Sequence, residues 1–564
     1  MKTMPHVLTK WLIALAIGSV VSQSCAQAAE VNAMDAGAIA KKISPPKQLE
    51  GQTENLMSET TAPMVRIQVS AWKVTGNSVF DSATLLKVLE PFIGRSLTIT
   101  ELQEPVERLT SFYRERGYLL ARAFLPVQNI DDSGEIWIQV IEANWGEIAI
   151  HNQSNIAESV ISKQIKDLKP GTVIHRDAVE LASMYLADLP GVNAQMKVRS
   201  GRSWGLSDLQ IDIQPSEPSA GVFNVDNHGN AYTGRNRFGL YQQFFNPFGQ
   251  GDSALIHVMT SGENLTSARF SYETLFRSPA FSLGIAASRF EYQLGDSARS
   301  LQAGGSAHQA SAWGQYYFLR RLQANLKGRL QLDSFALRDR IEITDIKSSK
   351  RIHALTWELL GDRQNLGPGQ STNSLAVAWH GGKTVFENEQ AALAESTTAN
   401  MAGDYGFLTV KMQREQFLSP RVSWYAALSG QWANTNLDAS QKFALGGPRS
   451  VRSYESGVLN GDTGQLLVFE WRYQSPMPAW WSSDNALQAR LFWDYGQVRV
   501  NQKPLTASDE TLAISGVGWA LDWQGKNGWR ATLSMAWPSA NIPVNLANAN
   551  ATRAGAWFEL RREY

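Results

Sequence analysis

Cysteine is almost absent: the 564 residues hold one, Cys25. A secreted chain of this kind has no internal disulfide and must be held by its core or by a membrane. Neither sign of charge is in excess, at 52 basic against 52 acidic residues, which argues against a nucleic-acid partner. Histidine is scarce at 8, with no metal-site spacing, so neither metal nor cofactor is expected. No G-x-x-x-x-G-K-[ST] stretch binds a nucleotide, and no H-E-x-x-H sets up a zinc hydrolase. The chain reads as a non-enzyme. Beyond residue 28 no apolar run reaches about 18 residues, which excludes a helical membrane protein.

The N-terminus carries Lys2 and Lys10, an apolar run from Trp11 to Val21, and small residues at Ala26–Ala28. That is the layout of a secretory signal peptide over residues 1–28. From residue 219 to Tyr564 the chain alternates with period two. Leu322, Ala324, Leu326, Gly328, Leu330 and Leu332 share one face, and Gln323, Asn325, Lys327, Arg329, Gln331 and Asp333 take the other. A soluble sandwich also alternates, but its strands hold about five or six residues, and these run to about ten or more. Trp and Tyr fall near strand ends, as at a bilayer interface. In lipid an open sheet edge is untenable, so the sheet must close. At about 20–22 residues per strand and connection, 219–564 makes an antiparallel β-barrel of about 16 strands.

Residues 65–218 differ. An alternating strand ends at Gly76-Asn77, a helix follows an Asp81 or Ser82 cap, and a second follows Thr100 with Leu102, Val106, Leu109 and Tyr113 as its stripe. Gly117 stops that helix, and two strands follow. The order strand, helix, helix, strand, strand returns about 75 residues later and ends its second helix at Gly191. Two tandem α+β modules are expected, 65–143 and 144–218.

Two such modules before a barrel resemble the TpsB transporters of two-partner secretion, with their POTRA domains. Arg116–Gln128 (RGYLLARAFLPVQ) looks like the end of the family's first POTRA domain. Val225–Arg237 and Asn246–Asp252 look like its first barrel hairpin. Leu445–Tyr454 (LGGPRSVRSY) looks like the tip of its sixth extracellular loop, usually written VRGY. The resemblance implies that this loop folds into the lumen and pairs its arginine with an aspartate of an F-x-D-x-G motif. Here these are Arg452 and, in Phe492, Asp494 and Gly496, the inward motif, with Gly446, Gly447, Pro448, Val451 and Tyr454 in support. Parity agrees: Leu487, Ala489, Leu491, Trp493 and Tyr495 form the lipid face, so Asp494 points inward, and on the preceding strand Leu467, Phe469, Trp471 and Tyr473 point outward and leave Glu470 and Arg472 inside. A wet lumen is expected to screen the pair, and an exchange of its two charges to restore part of its role. Ser453 stands where the usual motif has Gly, and a positive φ there would cost about 1 kcal/mol. No inward carboxylate is assigned to Arg449.

The resemblance further implies a pore-plug helix and linker over 29–64 and an outer-membrane location with the POTRA domains in the periplasm. It implies passage of a large, unfolded TpsA-like exoprotein, haemolysin- or adhesin-like, to the cell surface. Outer-membrane lipid, and the barrel-assembly machinery during biogenesis, complete the partners. An insertase of the same superfamily is the alternative.

Overall fold

The computed structural model describes residues 66–131, 133–262, 264–396, 400–476, 485–503, 511–539 and 555–564. The expected signal peptide (1–28) and the plug helix with its linker (29–64) lie outside the described residues. The chain divides into two compact units, with the boundary between Ser216 and Glu217.

The first unit holds two α+β modules. In the first, helix α1 (Ser82–Leu89) is capped by Asp81, whose carboxylate accepts the Thr84 N–H. Helix α2 (Gln103–Glu115) buries Leu109 and Tyr113. Thr100 is not its cap. Thr98 and Glu101 instead exchange side-chain-to-backbone hydrogen bonds of 2.8 and 3.2 Å, a reciprocal box that fixes the turn entering the helix. Gly117 ends the segment at φ +95°, a conformation that a side chain resists. Strand Glu135–Ile141 lies centrally, parallel to Ala71–Thr75 and antiparallel to Arg122–Phe124. Its alternation buries Ile136, Ile138 and Val140 under the helices.

The second module repeats this order. Helices α3 (Glu158–Gln164) and α4 (Arg176–Ala187) accompany a sheet ordered Asn144–Asn152, Leu206–Pro215, Val192–Ser200. At the junction, the Arg176 N–H donates to the Gly117 carbonyl (2.8 Å), and the Tyr118 ring meets His175 edge-on at 4.9 Å. The buried carboxylate of Glu142 accepts from the backbone of Ser78 and Val79 and from the Tyr113 hydroxyl (2.8 Å). It ties α2 and the turn after the first strand to the end of the same module.

The second unit is a closed antiparallel barrel of 16 strands. The first eight are β1 Ser219–Asp226, β2 Arg237–Phe245, β3 Ser253–Thr260, β4 Leu265–Phe276, β5 Ser278–Gln293, β6 Ala303–Arg321, β7 Ala324–Ile341 and β8 Ile346–Gln364. Then come β9 Ser371–Phe386, β10 Gly403–Phe417, β11 Val422–Ala433, β12 Thr463–Ser475, β13 Ala486–Arg499, β14 Thr511–Gln524, β15 Trp529–Pro538 and β16 Gly555–Glu563. Each strand pairs with its sequence neighbour, and β16 returns to β1. The expected turn-to-strand boundary shifts slightly: Leu322 and Gln323 form the β6–β7 turn, and alternation begins at Ala324. Leu330 and Leu332 point outward, 51% and 59% exposed, while Asp333, the next residue along, is buried. Apolar residues outside and carboxylates inside invert the soluble pattern and suit a lipid surround.

Tyr113→Phe in a fragment of residues 65–218 should lower its stability in urea by about 1.5–3 kcal/mol, the range for a hydrogen bond to a charged group. Unfolding should remain cooperative. A fragment without secondary structure by circular dichroism would contradict the two-module reading.

Candidate functional site

Between β11 and β12 the chain makes a long excursion, residues 434–462, whose short hairpin (Phe443–Leu445 with Leu459–Gly461) turns into the barrel. Gly446 and Gly447, at φ +96° and +97°, make the bend behind which Pro448 starts the tip. The Gly447 N–H donates to the Tyr454 carbonyl (2.9 Å) and the Ser450 N–H to the Gly447 carbonyl (3.1 Å), so the tip is a closed ring. Leu445, Val451, Tyr454 and Leu459 bury themselves against Val498 and Ile514 of the wall.

That seating sets Arg452 among carboxylates. Its Nε and Nη2 donate to the two oxygens of Asp494 at 2.9 and 2.7 Å, and its backbone N–H adds a bond of 3.0 Å. Nη1 donates to Glu470 Oε1 at 2.7 Å, and the guanidinium lies 3.3 Å over the Phe492 ring. Glu470 also accepts from Arg472 (2.9 Å) and Arg490 (3.2 Å), and Arg490 continues to Asp522. Arg452, Glu470 and Asp494 are 4%, 3% and 0% exposed.

Two expectations change here. The pair is not screened by lumen water, so removing one partner strands a buried charge, at about 3–5 kcal/mol. Exchanging the two charges would set an aspartate at 452 against Glu470, a repulsion the two-residue view did not contain. Parity had placed Glu470 inside β12 without assigning it a partner. Arg449, by contrast with Arg452, is exposed.

Ser453 brings a third correction. Its φ is not positive; the left-handed residues of the tip are Gly446 and Gly447. The residue is fully buried, and its side chain fits because β14 has a glycine opposite. A Cβ at Gly516 would stand 2.1 Å from Ser453 Oγ. The glycine of F-x-D-x-G works in the same way: a Cβ at Gly496 would meet Leu445 at 2.6 Å and Val451 at 3.0 Å.

A second buried pair closes the first hairpin, where Arg237 Nε donates to Asp226 at 2.8 Å. His228, just beyond, faces Asp226, Arg237 and Arg449. Burial pushes its imidazole down to about 4, with Arg237 and Arg449 adding to the effect and Asp226 opposing it.

A hydrolase motif expected to be absent is present in the first unit. Gly201-Arg202-Ser203-Trp204-Gly205 spells G-x-S-x-G, but it forms the turn between strands Val192–Ser200 and Leu206–Pro215. A nucleophile elbow needs a strand-to-helix turn.

A 16-stranded barrel with an inward-folded loop, following a POTRA-like α+β unit, defines a polypeptide-handling transporter of the outer membrane. Residues 205–523 match the model of the haemolysin secretion/activation protein family ShlB/FhaC/HecB, and residues 67–143 match that of the ShlB-type POTRA domain. The chain belongs to this family, the outer-membrane transporters of two-partner secretion, whose POTRA domains lie in the periplasm. It is similar to the heme/hemopexin transporter protein HuxB of Haemophilus influenzae (strain 86-028NP), 26% identical over 503 residues, 88% of this chain and 87% of that protein. Among solved structures it resembles CdiB from Escherichia coli, with a TM-score of 0.72 at 17% identity over 97% of this chain and 98% of that one. The BamA barrel of Haemophilus ducreyi lacking POTRA domains 1–3 superposes at 0.54 and 15% identity, over 88% and 100%. The family match sets aside the insertase alternative.

Gly516→Ala should unseat the loop, and adding Ser453→Gly should reseat it. Protease sensitivity of the loop in intact cells reports both. For His228 the unfolded ring charges below about 6.5, while the folded one resists to about 4. Stability is therefore lost as pH falls through that window, and His228→Gln should flatten the fall in unfolding midpoint between pH 7 and 4.5.

Proposed function

We propose that this transporter exports one large TpsA-like exoprotein, unfolded in the periplasm, through its lumen to the cell surface. Residues 65–143 and 144–218 act as its two POTRA domains and take up an extended segment by strand addition or in a helix groove. Haemolysin-, adhesin- or haem-scavenging-type cargo fits the family, and the name of HuxB adds weight to the last. Folding outside the cell draws the chain forward, so the reading needs no nucleotide. The barrel-assembly machinery inserts the barrel through its C-terminal strand. Residues 29–64 serve as plug helix and linker until cargo arrives.

The observation that carries the reading is the buried clamp of Arg452 on Asp494 and Glu470, which holds a 29-residue loop inside a barrel of this family. The clamp gives the conduit a fixed inner wall. Arg452→Ala should reduce secretion at least about tenfold while folded protein still reaches the outer membrane, as heat-modifiable migration would report. Asp494→Ala should act alike, and Arg449→Ala should have little effect. Normal secretion by Arg452→Ala, or labelling of a cysteine at 452 by a bulky external reagent, would overturn the reading. Deleting residues 29–47 should raise conductance in planar bilayers.

A further inference from the structure

We infer that the tip of the inward loop is also the clasp of the barrel's closing seam, with Trp557 and Ser456 as its two hooks. The seam where β16 meets β1 is short. Its ladder runs from Glu559↔Asp226 to Glu563↔Val222, with one further backbone-bonded pair at Tyr564 and Gly221, whereas the β6–β7 ladder runs from Ala303↔Ile341 to Arg321↔Ala324. Beyond Asp226 the pairing continues through Asn227: its backbone N–H donates to the Phe558 carbonyl (3.3 Å), its Nδ2 donates to the Ala556 carbonyl (2.9 Å), and its Oδ1 accepts the Phe558 N–H (2.8 Å).

The loop tip is seated on this same stretch. Trp557 Nε1, on β16, donates to the Arg452 carbonyl at 2.7 Å. Ser456 Oγ donates to the His228 carbonyl at 2.7 Å, on the β1 side. Both bonds are buried. Glu455 pairs with Arg235 of the β1–β2 connection, and the Trp557 ring stands edge-on to His228 at 6.1 Å. Contact with β16 is tight enough to require a glycine, since a Cβ at Gly555 would fall 2.0 Å from the Arg452 carbonyl oxygen.

Five consecutive residues, 452–456, thus hold both margins of the seam, while the guanidinium of the first is fastened to β12 and β13. Trp557 and Ser456 are positioning residues: they fix the tip and, through it, the two edge strands against each other. Withdrawal of the loop removes the clasp, so loop exit and loosening of the seam are one event. The clasp exists whether or not the loop moves during secretion, so its test is independent of transport.

Hydrogen–deuterium exchange on the full-length protein in detergent micelles reads it directly. Trp557→Phe leaves a smaller aromatic ring and deletes the N–H; Ser456→Ala deletes only a hydroxyl. Each should speed exchange in peptides covering 219–226 and 555–563 by about two- to tenfold, the effect of losing one buried hydrogen bond, with β6 and β7 unchanged. Heat-modifiable migration certifies that each variant is folded. If Trp557→Phe does not fold, Ser456→Ala decides alone. Seam exchange at the wild-type rate in a folded variant would overturn the clasp, as would faster exchange spread evenly around the barrel.

Discussion

A backbone N–H facing lipid has no water to fall back on, and each one left unpaired costs several kcal/mol. Everything in the second unit follows from meeting that demand. Strands from Ser219 to Glu563 pair around a complete circle, and even the last residue takes part, since Tyr564 and Gly221 exchange backbone hydrogen bonds of 2.8 and 3.0 Å. Closure leaves one face for lipid and one for the lumen, which makes period-two alternation obligatory along each strand. It also creates an interior in which charges can be sequestered from both water and lipid.

That interior explains the chemistry of the tip. A guanidinium taken from water needs several well-placed acceptors, and β12 and β13 supply them from adjacent inward positions, Glu470 and Asp494. Arg472, Arg490 and Asp522 extend the cluster, so removing any one charge is felt by the rest. Pairing of this kind is geometrically demanding, which suits it to fixing one loop conformation more than to adding stability.

Much of this was legible in the residues because it obeys a short period. Alternation alone put Phe492, Asp494 and Glu470 on the lumen face, and the repeated strand-helix-helix-strand-strand order marked two modules. What stayed hidden depends on the path of the loop in three dimensions. Trp557 reaches Arg452 across 105 residues and Ser456 reaches His228 across 228, and neither bond has a local pattern. The burial of Arg452 likewise depends on the path of the loop, which lays the guanidinium against the Phe492 ring and seats the tip on the wall. Thr100 was mistaken for a cap because three threonine or serine hydroxyls stand close together; the glutamate three residues after Thr98 was the better sign.

The fit between Ser453 and Gly516 has a meaning for how such a chain diverges. The loop and the wall enclose one small volume, and a glycine on either side leaves room for a side chain on the other. A motif written with glycine in the loop can therefore drift to serine without losing its seat, provided the wall already holds the glycine. The reverse order of changes passes through a collision. A side chain at either position therefore commits the other to glycine, and Ser453 keeps its seat only while position 516 carries none.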